Sequence, residues 1–164
     1  MTRLYGRAFG GERVVEYVPD CRYESNTILS SVRLSGDTVP VIFEGALNGA
    51  TFKTWVNGFL IPSLEKGDIV MMDNISSHKV TGIVEAIEKA GVAVMFSPEY
   101  SPDLNPIELM WAKIKSVIRS LKPRSFAELA DAVATAFDAV SPDDISAWFE
   151  HCGYCSKKSI SSVA

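Results

Sequence analysis

The sequence predicts a single α/β domain on a mixed sheet, with strands first and then alternating helix and strand. Three observations carry that reading. The first third holds β-branched runs, "TILSSVRL" and "VPVIFEG", separated by the turn signal "SGD". Two short apolar runs, "DIVMMD" and "VAVMF", then enclose a helical pattern, which predicts a parallel pair joined by a right-handed crossover. Beyond residue 105, apolar residues recur at helical spacing to the end of the chain.

Taken in order, "GERVVEYVP" reads as a first strand bounded by Gly11 and Pro19, and the two β-branched runs complete an antiparallel meander. "TFKTWVNGFLIPSL" places Phe52, Trp55, Val56, Phe59 and Leu60 on one helical face. "DIVMMD" is expected to be a buried strand ending at Asp73. "SSHKVTGIVEAIEKAG" reads as one helix with cap residues at its start and Gly91 at its end. "VAVMF" is expected to be a second buried strand. A basic helix follows the loop "SPEYSPDLNP", with a core face of Ile107, Met110, Trp111, Ile114, Val117, Ile118 and Leu121. "SFAELADAVATAF" and "SPDDISAWFEHC" each begin with a capping serine and read as two more helices.

The chain has 164 residues, 47% of them hydrophobic, enough for one cored domain over residues 1–164. No apolar run approaches the roughly 20 residues that span a bilayer. The start lacks the apolar segment of a signal peptide, so the expectation is a cytoplasmic protein without a membrane partner. Three cysteines argue against a secreted disulfide framework. "HCGYC" offers half of a zinc site, and His78 is the only other histidine, so structural zinc is not expected. Net charge is −4, yet Leu109 to Arg124 carries five basic residues and no acidic one. Ser125 to Glu150 carries six acidic residues and no basic one.

The chemistry centres on two carboxylates. Sites in open α/β sheets form outside the carboxyl ends of the strands. Asp73 ends one strand, and the exit from its parallel neighbour leads to Glu108, so the two can converge. Two or three carboxylates, with room for water and phosphate oxygens, suit Mg²⁺. Paired ions about 4 Å apart could activate an attacking oxygen and stabilise a leaving one. On an ideal helix, Lys115 and Arg119 lie within about 20° of Glu108, and Lys122 about 40° away. Glu108 therefore heads a stripe of cations suited to a phosphate backbone. A plainer account of Glu108 also exists. Asn105 would cap the helix, Pro106 would take its first position, Glu108 would close a capping box, and Leu104 and Leu109 would form a hydrophobic staple.

"MMDNISSHK" followed by "FSPEYSPDLNPIELMWAKIK" resembles the second half of a DDE transposase of the mariner superfamily, in its bacterial insertion-sequence branch. Thirty-four residues separate Asp73 from Glu108, the spacing of that branch. "TRLYGR" and "FEHCGY" also look like family sequence, so the resemblance covers nearly the whole chain. It implies a ribonuclease-H-like fold and a triad of carboxylates binding two Mg²⁺ or Mn²⁺. It implies strand cleavage and transfer on DNA, by water and then a DNA 3′-hydroxyl, without a covalent enzyme intermediate. Asp73 and Glu108 match triad positions. Asn74, His78 and Asn105 match supporting positions, and His78 could orient a site carboxylate. The cationic residues expected to meet DNA are Lys113, Lys115, Arg119 and Lys122; Arg3, Arg7 and Arg13 could add to them. Trp111 is expected to pack in the core.

One departure matters. The family's first triad Asp precedes "RLYGR", and no residue here matches it; Asp20 and Asp37 stand too far downstream in turn-like contexts. The expectation is an N-terminally truncated catalytic portion lacking its first strand, inactive alone. It would act as a homo-oligomer or pair with an upstream transposase fragment. The alternative is a non-catalytic DNA-binding or assembly fragment.

Overall fold

The computed structural model describes residues 6–15, 25–98 and 101–154. Residues 16–19 of the first expected strand, with Arg3, Asp20, Cys21, Tyr100 and Cys155, lie outside them. Residues 12–15 form no strand, and Phe9–Gly11 is a single 3₁₀ turn.

Strands β1 (Asn26–Leu29) and β2 (Val41–Glu44) pair antiparallel, with Ile28 opposite Ile42. The "SGD" turn closes beneath them. Gly36 sits at φ 110°, a left-handed value that a residue with a Cβ resists, and Ser35 donates to Asp37 at 2.6 Å. Strands β3 (Ile69–Met72) and β4 (Ala93–Phe96) pair in parallel, with Met71 opposite Met95. Among the described residues the two pairs are separate ladders, so the expected mixed sheet is interrupted between β1 and β3.

Helix α1 (Gly49–Trp55) begins where the Asn48 side chain accepts the Thr51 N–H at 2.9 Å. The helical path then widens into a π-turn, Val56–Leu60, before the short α2 (Ile61–Ser63). Pro62 explains the widening: it has no N–H and its ring crowds the preceding turn. The expected helix after Asp73 is divided. Ser76–Lys79 is a 3₁₀ turn, and α3 (Ile83–Lys89) starts only after Gly82 at φ 88°. Extended backbone at Val80 breaks the run between them.

Helices α4 (Pro106–Leu121), α5 (Phe126–Asp138) and α6 (Pro142–His151) close the chain. Ser125 and Ser141 cap the last two as expected, and Ser141 with Asp144 forms a capping box.

Two cores result. Phe52, Trp55, Val56, Leu60, Ile83 and Ile87 pack on one face of both strand pairs, against Leu29, Val41, Val70 and Val94. Met110, Ile114 and Ile118 of α4 pack with α5 on the other face of β1–β2, against Ile28, Val32 and Ile42. This second layer stops short of β3–β4. Ile69 is 62% exposed and Met95 50%, so these strands are buried on one face rather than two. Leu121, expected in the core, is likewise exposed at the last residue of α4. Trp111 does pack in the core, edge-on to Phe137. No helix among the described residues is long and apolar enough to cross a membrane.

Lys113 joins the helical layer: its ammonium pairs with Asp144 of α6. That pairing, with the Ser141 hydroxyl and N–H, lowers the Asp144 pKa from 3.8 to about 2. A depressed folded-state pKa contributes stability above the unfolded value and loses it as pH falls through the folded one. Asp144→Asn should therefore cost stability near neutral pH, and the gap to wild type should close between pH 3.8 and about 2. Urea unfolding across that range measures it; a gap independent of pH would contradict the assignment.

Candidate active site

Asp73 is the first residue beyond β3, and the parallel register fixes where it stands. The Ser97 N–H donates to Met72 O at 2.8 Å, so both strands leave the ladder at the same level. The Asp73 side chain is half-exposed, but its Oδ1 is buried. His78 Nδ1 lies 2.6 Å from that oxygen, yet neither atom has a hydrogen bond of good directional geometry. The contact is best described as a close approach that becomes an ion pair when the imidazole is protonated. His78 is held there by stacking on Phe52, with centroids 4.2 Å apart.

Glu108 arrives from the other side of the cleft, in the first turn of α4. The expected capping box is absent. Asn105 is the N-cap residue, but its side chain makes no cap hydrogen bond, and the first turn closes through Glu108 N–H to Asn105 O at 3.1 Å. Leu104 is exposed, which argues against the staple. Pro106 is buried at the first helical position and fixes the entry angle of the helix. Half-buried Asn105 and exposed Glu108 both face the cleft. Among the described residues, the Glu108 side chain has no hydrogen-bond or ion-pair partner.

The cleft has a volume of about 1010 Å³ and is lined by Asp73, His78, Asn105, Glu108 and Lys115. Asn74 is half-buried beside Asp73 and does not line it. Lys115, Arg119 and Lys122 are exposed along α4, whereas Lys113 is engaged by Asp144. Lys122 also ends the helix in the left-handed region, at φ 52°, with its N–H on Ile118 O. Arg7 and Arg13 are exposed on the N-terminal segment and do not line the cleft.

Tyr154 is the residue the sequence did not single out. Its hydroxyl lies 3.0 Å from both Leu104 O and Met71 Sδ, and so can donate to either. It thereby links the approach to Glu108 with the strand that carries Asp73. Burial and the neighbouring Cys152 push its pKa up, which keeps the donor proton in place. No periodicity marks such a residue; only the likeness of "FEHCGY" to family sequence touched it. Cys152 is buried, and burial followed by the charge of Asp103 raises its pKa, so it is a packed thiol. No group of three His, Cys, Asp or Glu among the described residues could hold a metal ion.

A protein-family model described as "DDE superfamily endonuclease" matches residues 1–130. The chain belongs to the DDE superfamily endonucleases. A search of curated proteins found no match. Among solved structures, the chain resembles one from the crystal structure of the Mos1 Strand Transfer Complex, with TM-score 0.73 and 16% identity. That match covers 92% of this chain and 47% of the Mos1 chain, so this chain spans about half of its solved relative. The fold is thus the ribonuclease-H-like α/β fold of that Mos1 chain. The endonuclease family agrees with the reading of the two central sequence blocks at the level of the DDE superfamily.

The site makes contrasting demands on its residues. Glu108→Gln removes a charge without a partner and should shift stability by less than about 0.5 kcal/mol. Tyr154→Phe removes a hydrogen bond between two elements and should cost about 1 kcal/mol. Paired urea titrations compare them, and a larger loss from Glu108→Gln would show that Glu108 is structural.

Proposed function

We propose that this chain is the catalytic portion of a DDE transposase, which within the complete enzyme cleaves and joins DNA phosphodiester bonds with Mg²⁺ or Mn²⁺ and is inactive alone. The observation that supports this best is the convergence of Asp73 and Glu108 on one cleft of a DDE superfamily endonuclease. The donors fit the group. Asp73 Oδ1 is a buried carboxylate oxygen without a directional hydrogen bond, and the Glu108 carboxylate is unpartnered. Hard cations take such oxygens and fill the rest of their shell with water. A bound ion would supply Lewis-acid stabilisation of charge at the scissile phosphate.

The chain's own residues would do the rest. Asp73 and Glu108 act as ligands. His78, pinned by Phe52, fixes one face of Asp73. Asn105 offers an amide to the same cleft, and Asn74 supports the turn after β3. Lys115, Arg119 and Lys122 would track the DNA backbone, while Lys113 is committed to Asp144 and contributes little. The DNA partners would be transposon ends and target.

A second reading, a non-catalytic DNA-binding or assembly fragment, draws on one observation: among the described residues no group of three His, Cys, Asp or Glu could hold a metal ion, and paired ions need more than Asp73 and Glu108. On that count the chain alone should not nick supercoiled plasmid with Mn²⁺. Robust nicking that disappears in Asp73→Ala would overturn this inactivity and the second reading together. Nicking that survives in Asp73→Ala would remove Asp73 from the mechanism.

DNA binding by the chain should fall steeply with salt and show no sequence preference. Replacing Lys115, Arg119 and Lys122 by Ala should reduce the slope of log K against log[salt] by about 0.9 for each phosphate left unneutralised. Glu108→Gln should leave the slope unchanged. Fluorescence anisotropy over a salt series measures both, and an unchanged slope in the triple variant would move the DNA path elsewhere.

A further inference from the structure

Helix α4 carries Glu108, yet its start lacks the usual local fastenings. The Asn105 side chain makes no cap hydrogen bond, and Leu104 is exposed rather than stapled. Just upstream, the 3₁₀ turn Pro102–Leu104 closes through Leu104 N–H on Ser101 O at 3.2 Å. The Leu104 carbonyl is held from elsewhere. Tyr154 Oη, fifty residues away in sequence, lies 3.0 Å from it. The same hydroxyl lies 3.0 Å from Met71 Sδ, two residues before Asp73. One hydroxyl proton serves one acceptor, and a carbonyl oxygen accepts better than a thioether. The proton therefore goes to Leu104, and the Met71 sulfur packs against the oxygen.

The end of α6 is built to aim that hydroxyl. Tyr154 N–H donates to Phe149 O at 2.8 Å, and Gly153 N–H donates to Glu150 O at 3.0 Å. With Gly153 at φ 84°, those two bonds make a Schellman motif. A residue with a Cβ resists that backbone conformation. The apolar contact that accompanies such a motif is present: the Phe149 and Tyr154 rings meet edge-on, with centroids 5.8 Å apart. Helix α6 is itself seated on α4. Lys113 pairs with Asp144, and Trp148 packs against the core that includes Met110. The turn before α4 lies close to the same end of α6, since the charge of Asp103 reaches the buried Cys152 thiol.

We propose that Tyr154 is a positioning residue that sets where Glu108 stands relative to Asp73. Its hydroxyl supplies from α6 the fastening that Asn105 does not supply locally. It fastens the start of α4 beside the strand that ends at Asp73, so both carboxylates are referenced to one phenol. Tyr154 acts through the Leu104 peptide and one helical turn, with no contact to a bound ion. The consequence for metal binding rests on the reading of Asp73 and Glu108 as ligands of one ion. The hold on the start of α4 does not.

The test compares the full chain with Tyr154→Phe, which keeps the ring on Phe149 and removes only the hydroxyl. Ser125→Ala, which removes the α5 cap, controls for a general loss of stability. Amide hydrogen exchange is followed by NMR without metal. Tyr154→Phe should speed exchange at Leu104 and Glu108 by about fivefold, the loss of one hydrogen bond. Ser125→Ala should leave those two amides unchanged while speeding exchange in the first turn of α5. Mn²⁺ affinity, read by electron paramagnetic resonance, should fall by about tenfold in Tyr154→Phe, the low end for losing a group that orients a ligand. It should stay at the wild-type value in Ser125→Ala. Unchanged exchange at Leu104 and Glu108 in Tyr154→Phe would overturn the proposal. So would equal Mn²⁺ affinity in wild type and Tyr154→Phe, or an equal loss in Ser125→Ala, which would make the effect one of stability. Wild-type Mn²⁺ binding that is absent, or that survives both Asp73→Asn and Glu108→Gln, would instead remove the ligand assignment. The exchange rates at Leu104 and Glu108 would then decide the role of Tyr154 by themselves.

Discussion

The parallel pairing of β3 with β4 is the constraint on which the rest depends. Four residues on each strand fix the level at which both chains leave the sheet. Asp73 emerges directly from one, and the loop toward α4 from the other. Everything at the cleft is referenced to that edge: the Ser97 bond to Met72, the Tyr154 hydroxyl over Met71 and Leu104, and the entry of Pro106. A slip by one residue would turn Asp73 to the opposite face and remove it from the cleft. The apolar face beneath, Val70 and Val94 against Phe52 and Ile83, resists that slip.

Charge is divided between fold and function along one helix. Lys113 turns inward toward Asp144 and joins α4 to α6. Lys115 and Arg119, on the neighbouring face, stay exposed. The acidic stretch after residue 125 is part of the same arrangement. Glu128 and Asp144 sit in the first turns of α5 and α6, where the helix dipole stabilises a negative charge, helped by the Arg124 N–H at Glu128 and by the Ser141 hydroxyl at Asp144. The net charge of −4 therefore conceals a cationic stripe rather than excluding one.

Sequence patterns that depend on local spacing were legible. The strands at 69–72 and 93–96, the α4 stripe of Met110, Ile114 and Ile118, and the serine caps all follow from period or cap chemistry. Features set by distant packing were not. Asn105 looked like a cap, but its side chain is left to the cleft. "VAVMF" looked doubly buried, but α4 covers β1–β2 instead and leaves Met95 exposed. Lys113 looked like its basic neighbours until α6 folded against it. Tyr154 acts across 83 residues on Met71, a separation that no local pattern reports. The candidate carboxylates were found because their spacing belongs to a family, whereas Tyr154 belongs to a geometry.

The central claim is that Asp73 and Glu108 serve one ion. Mn²⁺ binding followed by electron paramagnetic resonance tests it on the wild type, Asp73→Asn, Glu108→Gln and the double variant. Ligands of a shared ion are coupled, so each single change should remove most of the binding and the second should add little. Independent, additive losses, or full binding retained in either single variant, would place the two carboxylates at different sites and contradict the account.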